Sequence, residues 1–235
     1  MSEMICENIK KVTDRIAQAC SRAGRSPEEV QLVAVSKLKP LQDIKTAFEC
    51  GQLHFGENRA RELQDKMEAY DEDRVRWHMV GNLQTNKIKY MAERVNWIHS
   101  IEKKKYLREI EKRASRIDRV INTLVQINIS GEDQKSGCNA GDVKEILEYA
   151  QGLQHVRVRG LMGMATFVDP DQAEQVRPQF QMLRRIRDEH RSYESGNVRL
   201  EHLSMGMTND MEIAIEEGST MVRVGRAIFG ERNYK

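Results

Sequence analysis

The chain has 235 residues, with 38 basic against 36 acidic side chains; 39% of positions are hydrophobic and 31% charged. A formal charge of +2 gives no electrostatic case for nucleic acid or an anionic membrane, and no apolar run approaches the roughly 18 residues of a membrane span. The start, Met1 to Glu7, lacks the basic and apolar regions of a secretion leader, and Cys6, Cys20, Cys50 and Cys138 form no Cys-x-x-Cys pair. These cysteines promise neither a disulfide framework nor a zinc site, and the expected compartment is the reducing cytoplasm.

In chain order the first element is a helix. Ile5, Ile9, Val12, Ile16, Ala19 and Ala23 step by three and four residues and form one apolar stripe. Gly24 suits the C′ position, so residues 1–24 read as a structural helix covering the bottom or side of the strand-rich body. Ser26-Pro27-Glu28-Glu29 then supplies an N-cap, a proline at N1 and a glutamate at N3. Eight strands are predicted over 31–37, 53–56, 76–80, 97–100, 123–129, 156–162, 199–205 and 221–224. Helical patterns fall near 41–50, 58–69, 84–93, 102–117, 140–152, 171–192 and 209–217. The run Lys103-Lys104-Lys105 reads as a solvated helix face. Leu124, Val125, Ile127 and Ile129 mark a strand buried on both faces, and Val143, Ile146, Leu147 and Ala150 mark the inner face of the helix after it.

This α/β alternation predicts parallel pairing with right-handed crossovers. Eight such units in about 250 residues have the size of a single (β/α)8 TIM barrel. An open doubly wound sheet is the alternative, disfavoured because no Gly-x-Gly-x-x-Gly follows the first strand. With no fixed-period repeat, low-complexity tract or linker, one domain is expected over residues 1–235.

On such a barrel the chemistry belongs at the carboxyl ends of the strands. Lys37 closes the first strand, where desolvation favours the neutral amine that Schiff-base chemistry with an aldehyde needs. Taken alone, Lys37 also reads as a snorkelling lysine at a strand end. After strand seven, Ser204 offers a hydroxyl, Gly206 a turn, and Asn209 with Glu212 an N-cap and its N3 partner. After strand eight, Gly225-Arg226 opens a second turn, and two adjacent loops of this kind suit a phosphate, although both also read as ordinary connections. Barrel closure puts strand eight beside strand one, so Arg223 and Lys37 reach the same mouth if their faces point inward; a rim salt bridge is the plainer reading of Arg223. His78 lies near a mouth, as a ligand contact or as a structural histidine. The six histidines form no His-x-x-x-His or His/Cys cluster, so no metal is expected, and neither a nucleophile elbow nor a P-loop is present.

Val-Ala-Val-Ser-Lys (33–37), Phe-Gly-Glu-Asn (55–58), Trp-His-Met-Val-Gly-Asn-Leu-Gln-Thr-Asn-Lys (77–87), Gln-Ile-Asn-Ile-Ser (126–130) and Lys-Ser-Gly (135–137) are followed by three further blocks, Gly-Leu-Met-Gly-Met (160–164), Leu-Ser-Met-Gly-Met-Thr-Asn-Asp-Met (203–211) and Gly-Ser-Thr-Met-Val-Arg-Val-Gly-Arg-Ala-Ile-Phe-Gly (218–230). In these eight blocks, spanning essentially the whole chain, the protein resembles the pyridoxal phosphate homeostasis proteins. The resemblance implies a barrel like the N-terminal domain of alanine racemase, carrying pyridoxal 5′-phosphate (PLP) as a Schiff base on Lys37. It implies phosphate contacts from Ser204, Met205 and the Gly206 turn and from the Gly225-Arg226 loop, with Arg223 at the pyridine nitrogen. Asn58 is implied beside the ring, with Met164 and His78 lining the pocket.

The implied role is vitamin B6 homeostasis in the cytoplasm without established catalytic turnover, so no catalytic residue is assigned. The alternative is a minimal PLP-dependent amino-acid racemase. Racemases of the related family need a second base from an added β-domain, and this chain ends at Lys235, soon after strand eight. A third reading, a Schiff-base aldolase acting on a sugar phosphate, needs the lysine but no bound chromophore. Implied partners are PLP, other B6 vitamers and PLP-dependent apoenzymes, with a monomer expected. Lys135 reads either as a second vitamer site or as a surface loop lysine.

Overall fold

The β-branched and aliphatic runs pair side by side because each buries both faces, one toward a barrel lumen and one beneath helices. The structure is a computed structural model and describes residues 2–132 and 134–231. Strands β1 (Gln31–Val35), β2 (His54–Glu57), β3 (Arg76–Met79), β4 (Trp97–Ile101), β5 (Ile121–Ile127), β6 (Val156–Gly163), β7 (Val198–Ser204) and β8 (Met221–Val224) close in sequence order into a parallel barrel. β8 lies beside β1 with Val33 opposite Arg223, which excludes the open sheet. Leu124, Met162 and Met221 pack with Trp97 and Met164 in a small apolar cluster separate from the main core.

Helices α1 (Ser2–Arg22), α2 (Leu41–Glu49), α3 (Ala60–Ala69), α4 (Lys104–Ala114), α5 (Val143–Gln151), α6 (Arg177–Glu189), α7 (Met211–Glu216) and α8 (Arg226–Phe229) surround the strands. The stripe Ile5, Ile9, Val12, Ile16 and Ala19 is buried, and α1 packs on α2, α7 and α8 at the side of the barrel. Gly24 ends α1 at φ +66°, and Arg25 N–H donates to Cys20 O at 2.9 Å, a glycine-dependent stop. The capping box at Ser26 forms, with Ser26 N–H donating to Glu29 Oε1 at 2.9 Å.

Four expectations need correction. The helix predicted near 84–93 is a 3-10 segment, Thr85–Tyr90, since only Ile88, Met91 and Ala92 bury apolar surface there. The pattern at 171–192 becomes a helix only from Arg177, because Pro178 has no N–H to continue a ladder from upstream and fits a first turn. The residue before α7 is Asp210, not Asn209, and Glu212 is held by Arg15 of α1 at 2.7 Å instead of closing a capping box. Cys6 and Cys50 are disulfide-bonded, their Cα atoms 5.5 Å apart, because α1 packs along α2; Cys20 and Cys138 are buried free thiols. Among the described residues no helix is long and apolar enough to cross a membrane, and no group of His, Cys, Asp or Glu has a metal-binding arrangement.

Candidate functional site

Lys37 follows β1 in a tight turn and is half-buried. Its neighbour Leu38 adopts φ +62°, a left-handed conformation that costs a leucine about 1–2 kcal/mol. The turn is held from behind. Leu38 N–H donates to Glu62 Oε1 at 2.6 Å, and Lys66 Nζ donates to Ser36 O at 2.9 Å, Glu57 Oε1 at 2.8 Å and Glu62 Oε1 at 2.7 Å. Ser36 Oγ adds a bond of 2.6 Å to Glu57 Oε1. Burial pushes the Glu57 carboxyl up to about 7, with Lys66 opposing.

Lys37 faces a cavity of about 750 Å³ at the carboxyl end of the barrel. Six of the ten residues singled out from sequence line it: Lys37, Asn58, Met164, Arg223, Gly225 and Arg226. Sequence reasoning missed Lys39 and Arg59, each within two residues of a named one, and Phe167, Thr208 and Asp210 further along two of the named loops; Asn209, read there as an N-cap, also lines the cavity. Besides Lys37, the lining carries four cations (Lys39, Arg59, Arg223 and Arg226) against the acids Asp210 and Glu231, so the cavity favours an anion. Asn58 Oδ1 is buried with no hydrogen-bond partner among the described residues. Close backbone contact shapes the rim: a Cβ on Gly81 would lie 2.2 Å from Asn58 O, and one on Gly225 3.0 Å from Val35 O.

The loop after β7 is tied to strand β8. Arg223 N–H donates to Gly206 O at 2.9 Å, and Gly206 holds φ +94° where a Cβ would strike Ala214 at 2.6 Å. Ser204, Met205 and Gly206 are buried beneath the cavity and do not line it; residues 207–210 present that loop instead. Arg223 is buried at the cavity floor, Nη1 donating to Ser204 Oγ at 2.6 Å and Nη2 to Gly163 O at 3.1 Å. Burial pulls this guanidinium down to about 10, the Asp210 carboxylate opposing, so it remains a cation at neutral pH.

His78 is fully buried and does not line the cavity. Its Nε2 lies 2.9 Å from His54 Nδ1 and its Nδ1 2.9 Å from His99 Nε2, and its ring stacks on Trp97. Lys135 also lies away from the cavity, paired with Glu132 at 2.5 Å.

The family model for the alanine racemase N-terminal domain matches residues 8–233. The pyridoxal phosphate homeostasis protein of Aquifex aeolicus is 44% identical over 230 residues, covering 97% of this chain and 99% of the relative. The chain belongs to the pyridoxal phosphate homeostasis protein family. The family member of Escherichia coli strain K12 is 39% identical over 233 residues, 98% of this chain and 97% of that one. Among solved structures, PipY of Synechococcus elongatus PCC7942 with PLP bound superposes at TM-score 0.79 and 34% identity, covering 92% of this chain and all of that one.

PLP is the group this family implies, and the residues present fit it. An anionic ligand suits the cationic lining, the unpartnered Asn58 Oδ1 offers an acceptor, and Lys37 places a primary amine in the lining, a group of the kind that condenses with an aldehyde.

Proposed function

We propose that this chain binds PLP in the cavity, held covalently through the Lys37 amine, and serves vitamin B6 homeostasis as a carrier without catalytic turnover. The observation that carries this reading is the convergence of Lys37, Asn58, Arg223 and the Gly225-Arg226 turn on one cation-rich cavity. Bound there, the cofactor supplies an aldehyde for amines and, with a cation at its ring nitrogen, only a weak electron sink. Arg223 is the residue for that nitrogen: it is charged at neutral pH and cannot accept a proton. Residues 207–210 and Gly225-Arg226 would grip the phosphate, with the buried Ser204, Met205 and Gly206 setting the loop's course. Met164 and Asn58 would flank the ring. The compartment is the cytoplasm, the working state a monomer, and the partners PLP, other B6 vitamers and apoenzymes that accept PLP.

The test is borohydride reduction of the PLP-loaded protein followed by peptide mapping. The adduct is expected on Lys37, with none in Lys37→Ala; a label on another lysine overturns the assignment. Incubation with L-amino acids in deuterated water is expected to give no α-proton washout beyond that of free PLP, and sustained washout would establish a racemase-like enzyme instead.

A further inference from the structure

A continuous file of polar side chains crosses the barrel lumen below the cavity. It starts at Arg223 on β8, reaches Ser204 on β7 at 2.6 Å, and crosses to His99 Nδ1 on β4 at 3.0 Å. His99 Nε2 meets His78 Nδ1 on β3 at 2.9 Å, and His78 Nε2 meets His54 Nδ1 at 2.9 Å. His54 is the first residue of β2, half-buried at the amino end of the barrel. Ser204, His78 and His99 are almost wholly buried, so an unmade link in this file would be costly.

Arginine has donors only, so among the partners of the buried Ser204 hydroxyl, Arg223 and His99 Nδ1, only the imidazole can take the serine proton, and satisfying that O–H sets the direction of the links. Arg223 donates to Ser204 Oγ, and the serine proton must then go to an acceptor. The acceptor within reach is His99 Nδ1, so His99 carries its own proton on Nε2 and donates to His78 Nδ1. His78 in turn is protonated on Nε2 and donates to His54 Nδ1. Reversing one histidine link alone places two protons or two lone pairs face to face at the next, and reversing all three leaves the buried Ser204 O–H without an acceptor among the described residues. The rings must also be neutral, since an imidazolium has no acceptor. Burial supplies this condition by holding His78 and His99 well below their ordinary value.

We propose that His99, His78 and His54 are positioning residues: a one-way chain, Arg223 to Ser204 to His99 to His78 to His54, fixes the guanidinium at the cavity floor and supports its charge there. Both acceptors of Arg223, the Ser204 hydroxyl and the Gly163 carbonyl, are neutral. The aligned dipoles of the chain point their acceptor ends toward the cation, which offsets part of the cost of burying it. The chain does not conduct protons into the cavity, because its cavity end, Arg223, has no lone pair to receive one. Its direction is independent of any ligand; its consequence for cofactor affinity rests on the function proposed above.

The first experiment uses the ligand-free protein with ¹⁵N-labelled histidine and reads tautomers from long-range ¹H–¹⁵N correlations near pH 7.5. His54, His78 and His99 are all expected as neutral Nε2–H forms, and an Nδ1–H form of His78 or His99 overturns the proposal. The second uses His78→Phe, which keeps a ring against Trp97 but breaks the chain away from the cavity. PLP affinity is expected to weaken about tenfold, the loss of one well-made hydrogen bond, with a shifted visible band. His78→Gln, which can accept and donate in sequence, is expected to restore most of both. Unchanged affinity and spectrum in His78→Phe would reduce the histidines to packing. If the wild-type protein fails to bind PLP, the function falls while the tautomer spectrum still decides the chain. If His78→Phe fails to fold, the wild-type spectrum again decides.

Discussion

Replacing Lys66 by methionine keeps the aliphatic stem and removes the charge behind the Lys37 turn. Lys66 Nζ makes three hydrogen bonds, and the Glu57 it faces is fully buried with Oε2 lacking a partner among the described residues. At pH 8 the Glu57 carboxyl, pushed up to about 7, is ionised in the folded protein. Without Lys66 to hold it down, that carboxyl takes up a proton in Lys66→Met, so beyond the lost hydrogen bonds the variant should lose about 1.4 kcal/mol more at pH 8 than at pH 5, the linkage value for the one unit between about 7 and 8. At pH 5 Glu57 is already protonated in the native state, so the variant loses hydrogen bonds but no counter-charge, about 1–2 kcal/mol. Urea denaturation at both pH values measures the two penalties, and the Glu57→Gln background should bring the pH 8 cost down to the pH 5 one. An equal penalty at pH 5 and pH 8, or no relief from Glu57→Gln, would refute this account of the turn.

Three other substitutions probe separate features. Gly81→Ala puts a Cβ 2.2 Å from Asn58 O, so the rim backbone must move, and thermal melts should show a loss of about 1–3 kcal/mol together with weaker PLP binding. Cys6→Ser should lower the stability of the oxidised protein by about 4 kcal/mol, the chain-entropy value for a bridge across 44 residues, and leave that of the reduced protein nearly unchanged. Ser26→Ala removes the side-chain half of the capping box and should cost about 1 kcal/mol by chemical denaturation.

The barrel was legible because its signal is local. Each strand is a short apolar run such as Leu124-Val125, and strand–helix alternation settles the pairing. Helix starts were less legible: Asn209 and Asp210 are both good N-caps by type, and the one that precedes α7, Asp210, makes no side-chain cap bond, its Oδ1 accepting from Met207 N–H upstream instead. The cavity was legible where function sits at a strand end, as for Lys37 and Gly225. Ser204 was assigned to the mouth because its loop belongs there, yet its side chain points beneath the cavity toward Arg223. His54 and His99 were not singled out at all. Their partners lie 24 and 105 residues away, for His54 with His78 and for His99 with Ser204, and only the register of five strands brings the file together. The Cys6–Cys50 bridge is invisible for the same reason, since spacing does not report which helices touch.

The buried histidines and Glu57 pull stability in opposite directions with pH, and the balance can be measured. Burial holds His54 down to about 4 against an ordinary 6.5, so between those values the unfolded chain binds more protons and stability rises with pH. At 1.36 kcal/mol per pH unit that single ring contributes about 3 kcal/mol at neutral pH, lost as pH falls from 6.5 to 4. His78 and His99 add with the same sign. Glu57, raised from 4.5 to about 7, works the other way and weakens the fold as pH climbs between those values, by about 3 kcal/mol. The raised carboxyl of Asp210 joins it, but four depressed imidazoles, the half-buried His202 included, outweigh two raised acids. Stability should therefore climb from pH 4.5 to 6.5 and decline gently above it, with a maximum near 6.5. Glu57→Gln should steepen the climb and abolish the decline, while His54→Gln should flatten the climb. Denaturation curves at half-unit pH steps give the answer, and a wild-type protein most stable at pH 5 would show that the histidines are not held neutral inside the barrel.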